Sequence, residues 1–373
     1  MDRRRRQLDH GRGSKGSDTM AQTSPPARMT RDVLRGRAQT VLGPLDPAEL
    51  GPTLMHEHLI WDIRTPAMRA DPDQGPEITL CNCFAINYGR KKVPGNLRFR
   101  CEPTAVAELT ALRASGGRTL VELSSGGLDP DPAALARLAA EAGLHIIMGC
   151  GHYVHEYQDP ANAARGAEDF AREMVDQVQL GAWGTTVRAG IIGEIGCQAP
   201  WTEQERRVMA GALLAMAETG AAVNVHPGRH PDQPQEVADF IRAHGADPGR
   251  IIISHIDRTI FDETRLLRLA DSGVVIEFDL FGQEASYYPL AAIDMPNDAV
   301  RLKLIRALIA RGHLERIVIS HDICYRTRLR RWGGHGYGHI FENVVPLMLE
   351  RGFTEAEVAA ITTGNPRRLL AFA

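Results

Sequence analysis

Two histidines separated by one residue, His56 and His58, close the apolar run Pro52-Thr53-Leu54-Met55. In a β-strand, residues two apart project from one face, so these imidazoles point together and Glu57 points away. Two imidazoles on one face can share a divalent cation, yet an isolated His-x-His is more often a packed or solvated pair. Four further residues of ligand type end later apolar runs: Glu194 in GIIGEIG, His226 in AVNVHPG, His255 in RIIISHID and Asp322 in RIVISHD. Four imidazoles and two carboxylates are too many for one tetrahedral zinc with an open position. They suit two cations roughly 3.5–4 Å apart that share a carboxylate. Zinc fits such donors, as do manganese, iron and cobalt.

The chemistry this predicts is hydrolysis. Two cations lower the pKa of a bridging water enough to give hydroxide near neutral pH, which attacks a carbonyl or phosphoryl centre. Asp322, a ligand placed against that nucleophile, is the catalytic candidate to accept its proton and pass it to the leaving group. His321 faces the other way and is assigned a packing role. His335 and His339 have the i,i+4 spacing of a helical metal pair, but Gly333, Gly334, Gly336 and Gly338 between and around them predict a flexible substrate loop. Arg229, Arg258 and Arg326 follow ligands by three or four residues and could clamp a carboxylate or sulfonate. The bland alternative for each is a solvated rim arginine. Tyr153, Tyr287 and Tyr288 are candidates for the same pocket. GGHGYG and Gly149-Cys150-Gly151 are too short and misplaced for nucleotide binding.

Something must bring the ends of distant runs together. Apolar, β-rich segments occur at 53–56, 119–123, 146–149, 190–195, 222–226, 251–255, 274–278 and 317–320. Helical patterns separate them at 104–115, 132–142, 167–180, 203–219, 235–244, 262–272 and 297–311, with a last one at 340–351. Thr202 with Glu205 forms a capping box, and Gly143 and Gly220 stand where helices end in a left-handed residue. Eight strands alternating with eight helices predict an α/β fold, a (β/α)8 TIM barrel with a short strand near 39–43 preceding it. An open doubly wound sheet would not gather residues from strands one, four, five, six and eight. The long connections 65–103, 281–295 and 324–339 all leave the strand ends where such folds build their sites.

A chain of 373 residues at 43% apolar content can bury one large core. Its net charge of −3 makes no electrostatic case for nucleic acid or an anionic membrane, and no run approaches a membrane span. A small-molecule substrate is the expected partner, and a homo-oligomer is compatible with the sequence. The six cysteines include no Cys-x-x-Cys pair and read as reduced thiols of a cytoplasmic protein. Residues 1–37 carry the run Arg3–Arg6 and no apolar signal segment, so they are expected to be a disordered leader, with Met20 and Met29 as alternative starts. The folded domain is then 38–373.

The ligand set resembles that of the phosphotriesterase-like branch of the amidohydrolase superfamily. GIIGEIGC, HPGR, SHIDRT, EFDLFG and GGHGYGHIFENVVP are similar to signatures of its phosphotriesterase-related, or resiniferatoxin-binding, members. The resemblance runs from Ala38 to Ala373. It implies that His56, His58 and Asp322 hold the more buried metal, and His226 and His255 the other. Many members bridge their metals with a carboxylated lysine on the fourth strand. Here the lysines are Lys15, Lys91, Lys92 and Lys303, none on that strand, so Glu194 must supply the bridge. The resemblance also implies cleavage of an amide or ester carbonyl in an N-acyl taurine or N-acyl amino acid. The alternatives are a lactonase or phosphotriesterase and, in another class, a non-catalytic ligand-binding protein.

Overall fold

Apolar residues on both faces of each strand decide the packing. The computed structural model describes residues 27–89, 92–286, 288 and 290–373. Its strands β1 (Thr53–Glu57), β2 (Thr119–Glu122) and β3 (His145–Met148) form one parallel sheet. A second parallel sheet contains β4 (Ile192–Gly196), β5 (Val223–His226), β6 (Ile251–Ile253), β7 (Val275–Phe278) and β8 (Ile317–Ile319), in that order. The sheets meet at two seams. Gly190 N donates to Met148 O at 2.8 Å between β3 and β4, and Asp322 N donates to His56 O at 3.2 Å between β8 and β1. Met55, Val121, Ile147, Ile252, Val275 and Val318 pack with one another on one face, while their neighbours Leu54, Leu120, Ile146, Ile253, Ile276 and Ile317 pack in the larger core. Burial on both faces explains why the runs read as almost continuously apolar rather than alternating.

Helices follow the strands: α1 (Glu102–Ala114), α2 (Pro132–Ala142), α3 (Ala167–Gln179), α4 (Glu203–Thr219), α5 (Gln233–Ala243), α6 (Glu263–Asp271) and α7 (Asp298–Ala310). After β8 the chain makes one wide helical turn at Ile340–Val344 and continues as α8 (Val345–Glu350). The Thr202–Glu205 capping box opens α4, and Gly143 and Gly220 cap α2 and α4 with φ of 63° and 79°.

Two ladders slip where the site begins. Leu54 and Glu57 pair with Leu120 and Glu122, three steps against two, and Ile192 and Ile195 pair likewise with Val223 and Val225. One extra residue bends the strand and re-aims the side chains beyond it, here those around His56 and Glu194.

Two expectations need correction. Residues 28–37 are folded rather than a disordered leader. They contain the helix Arg31–Leu34, Met29 N donates to Gln179 O at 2.9 Å, and Arg31 Nε donates to Ala373 O at 2.9 Å. Residues 1–26, with Met20 and the arginine run, lie outside the described residues. The anticipated strand near 39–43 is present as Ala38–Thr40, paired in a hairpin with Gly43–Leu45. The segment 324–339 is not a loose substrate loop: buried Tyr337 donates to His58 O at 2.5 Å, and His339 Nε2 lies 2.7 Å from Asp298 Oδ2. Its glycines admit tight turns instead of mobility.

Candidate metal centre

Glu194, on β4, stands between two pairs of histidines. Its Oε1 lies 3.7 Å from His56 Nε2 and 4.0 Å from His58 Nε2, both from β1 and its end. Its Oε2 lies 2.5 Å from His226 Nδ1, ending β5, and 3.1 Å from His255 Nε2, just past β6. All five side chains are buried. Asp322, past β8, places Oδ1 3.1 Å from His58 Nε2 and 3.9 Å from His56 Nε2, and Oδ2 3.9 Å from His255 Nδ1. Its side chain keeps 15% of its exposure against 6% or less for the others, so it faces the open space of the site. His255 and Asp322 hold left-handed backbones, φ 56° and 50°. Such conformations in non-glycine residues cost of order 1–3 kcal/mol, and the surrounding packing must enforce them.

What lies behind the histidines decides which nitrogen faces inward. Asp279, one residue past β7, reaches His56 Nδ1 with Oδ2 and His255 Nδ1 with Oδ1, each at 2.9 Å, and Oδ1 also accepts from His255 N. Ser124 Oγ lies 3.0 Å from His58 Nδ1 and donates to Glu122 Oε1 at 2.5 Å, so it accepts the imidazole proton. In their neutral form these three histidines therefore carry the ring proton outward and turn a bare Nε2 toward Glu194. Among the described residues His56 Nε2 has no hydrogen-bond partner. Buried acceptors gathered round a carboxylate, which is itself an acceptor, fit a cation. The donor atoms of His56, His58 and Glu194 lie within 4.8 Å of one another, and so do those of Glu194, His226 and His255.

Electrostatics point the same way. Burial opposes a charge on His56, yet Glu194, Asp279 and Glu277 raise its pKa well above the ordinary value. Burial would likewise raise Glu194, but His226 and His56 hold it well below the usual carboxyl range. A site that draws protons onto its histidines through nearby carboxylates draws metal cations by the same field. His226 differs. Arg258 Nη2 lies 3.2 Å from its Nε2, which puts the ring proton on Nδ1, toward Glu194. Metal at Nδ1 would need that proton moved to Nε2, where Tyr153 OH, at 3.5 Å, can accept it.

A cavity of about 560 Å³ lies against this cluster, lined among others by Lys92, Tyr153, Arg229, Tyr288, Asp322 and Tyr325. Arg229 Nε donates to Tyr288 OH at 3.1 Å. Arg258 also borders it, but buried and committed to His226 and Pro227 O, so it backs a histidine rather than presenting a free fork. Arg326 is not in the lining. It lies over the Trp332 ring at 4.4 Å and donates to Gly95 O, which removes it from the proposed clamp. Tyr287 lies outside the described residues. His321 turns away as expected and bonds Glu57. Asp279, Ser124 and Lys92 escaped the sequence reading. Asp279 had a signal, an acid ending the apolar run Val274–Phe278, the same mark that singled out Glu194.

Imidazoles and carboxylates gathered at the ends of parallel strands place the chain among metal-dependent hydrolases. More narrowly, it belongs to the Phosphotriesterase family, which matches residues 36–370. It is 40% identical over 346 residues to an N-acetyltaurine hydrolase of Xenopus tropicalis, covering 91% of this chain and 99% of that protein. The N-acetyltaurine hydrolase of Homo sapiens is 40% identical over 345 residues, with the same coverage. Among solved structures it is similar to a resiniferatoxin-binding protein from Rhodobacter sphaeroides, with a TM-score of 0.85, 30% identity and coverage of 93% of this chain and 98% of that one. A phosphotriesterase homology protein from Escherichia coli, with phosphate in its active site, gives 0.72, 27%, 87% and 100%.

Proposed function

We propose that this chain is a binuclear metal hydrolase that cleaves the amide of N-acetyltaurine or a similar N-acyl amino acid, on a closed (β/α)8 barrel. One observation carries the reading: a single carboxylate, Glu194, presents one oxygen to each of two histidine pairs. The bonded seams between the two sheets support closure of the barrel. His56, His58 and Asp322 would hold one cation, His226 and His255 the other, with Glu194 between them. Two divalent cations, zinc by donor type, supply hydroxide near neutral pH and polarise the acyl carbonyl when bound. Asp322 receives the proton on a carboxylate oxygen facing the cavity and delivers it to the departing amine. Tyr153 holds His226. Lactone or phosphotriester cleavage would use the same groups, but a cavity wall bearing Lys92 and Arg229 favours an anionic substrate over a neutral one. A protein that only binds ligands has no use for a buried carboxylate shared by four imidazoles. Six unpaired cysteines support a reducing, cytoplasmic setting.

Metal analysis together with a substrate panel tests this. The purified protein should hold two divalent metals per chain and hydrolyse N-acetyltaurine faster than a neutral lactone or a paraoxon-like triester. Glu194→Gln should lower metal content and activity together. Active wild-type protein with one metal, or a panel won by the lactone or triester, overturns it.

A further inference from the structure

We propose that Lys92 and Arg229 together form the subsite for the anionic tail of the substrate, an inference that rests on the hydrolase reading above. The two come from different connections, Lys92 from the long one after β1 and Arg229 from the one after β5, and they border the same cavity as Asp322 and Glu194.

Arg229 is the better positioned. Its Nε is spent on Tyr288 OH, with the guanidinium carbon 5.5 Å from that ring centre, but its four remaining N–H groups meet no acceptor among the described residues. No carboxylate pairs with it there. Arg301 and Arg165, by contrast, each sit against one or more acids. Lys92 likewise has no hydrogen bond or ion pair among the described residues. Burial lowers the pKa of its ammonium, and the charge of nearby Arg229 lowers it further, with Glu156 opposing. Two cations held close in a partly enclosed space repel one another, and an anion bound between them relieves that cost.

The cavity also joins this cationic wall to the candidate metal centre. Glu194, Asp322, Tyr153, Tyr325, Arg229 and Lys92 all line this one cavity of about 560 Å³, so one small molecule can reach both ends. An acyl carbonyl at Glu194 and Asp322 then leaves an acidic tail for Arg229 and Lys92. Arg258 is held against His226 Nε2, Pro227 O and Thr259 Oγ1, and Arg326 lies over the Trp332 ring outside the lining of this cavity, so neither takes this place.

The experiment compares wild type, Lys92→Met, Arg229→Met and Lys92→Arg, all metal-loaded, on N-acetyltaurine, N-acetyl-β-alanine and neutral N-acetylethanolamine. Calorimetric titration with ethanesulfonate reads the subsite without turnover. Each methionine variant should raise KM for the two anionic amides about tenfold to a hundredfold, with a much smaller effect on kcat and on the neutral amide. Lys92→Arg should retain most of the affinity, and ethanesulfonate binding should weaken in step with KM. If the variants shift anionic and neutral substrates equally, or bind ethanesulfonate as wild type does, the subsite is refuted. If wild type hydrolyses none of the amides yet binds ethanesulfonate through Lys92 and Arg229, the subsite stands and the amidase reading falls.

Discussion

Two histidine–carboxylate clusters lie one residue apart on the same strands, and only one looks like a metal centre. Glu57, between His56 and His58, turns to the far side and accepts from Ser320 Oγ, His321 N and His321 Nδ1 on one oxygen and from Ile323 N on the other. The other nitrogen of His321 accepts from Ile340 N at 3.1 Å. Every polar atom of that Glu57–His321 pair has a partner within the protein. Around Glu194 the same residue types leave bare nitrogens aimed at a carboxylate, and His56 Nε2 with nothing. Residue type does not separate a ligand set from a structural network; the balance of donors and acceptors does. In the Glu57 cluster donors outnumber carboxylate oxygens, so the protein closes it. In the Glu194 cluster acceptors are in excess, a balance that suits a bound cation.

The sharpest way to test the contrast is to remove a proton acceptor from the open cluster while keeping an oxygen ligand. Asp322→Asn does this. Turnover should fall by about 10²–10⁴-fold, the usual worth of a general base. Metal content should fall much less, and substrate affinity should hold. Steady-state kinetics with metal analysis on the same sample decide it; wild-type turnover would reduce Asp322 to a ligand.

The strand–helix order, the six ligand-type residues and their common end of the sheets were legible because apolar runs and their terminal residues are local signals. The strand limits found lie within one or two residues of those read from the pattern. Less visible were features set by tertiary contact. The slips in the β1 and β4 ladders depend on the neighbouring strand, and simple alternation cannot show them. Arg229, Arg258 and Arg326 follow their ligands at similar spacing, yet one faces the cavity, one backs His226 and one lies over Trp332. The chain path after each strand end separates them, and spacing carries no record of it. Lys92 came from a long connection with no periodicity to place it.

Asp279 tests the open cluster from behind. It does not line the cavity beside the cluster, but its two oxygens lie 2.9 Å from His56 Nδ1 and from His255 Nδ1, behind both rings. Asp279→Asn should leave the fold intact and weaken metal affinity by about 10–100-fold, as losing a partner behind metal-ligating histidines does. Its turnover should recover at high metal concentration, whereas that of Asp322→Asn should not. Chelator titration of the two variants side by side checks this, and equal metal affinity in Asp279→Asn and wild type would show that packing alone orients those rings.

The smallest effect is expected in the closed cluster, where Glu57→Gln keeps the shape and removes the charge. A glutamine has one acceptor oxygen for donors that now use two. If that oxygen stays with Ser320 and His321, the amide NH2 faces Ile323 N, donor against donor. An unmatched buried N–H costs about 1–3 kcal/mol, which should appear as a melting temperature lowered by a few degrees. Two metals per chain and near-normal turnover should remain, because His56 and His58 reach Glu194 from the opposite face of the same strand. If Glu57→Gln instead sheds metal while staying folded, the two clusters are a single coupled unit, with the Glu57 bonds around Ser320–Ile323 holding Asp322 in its left-handed turn.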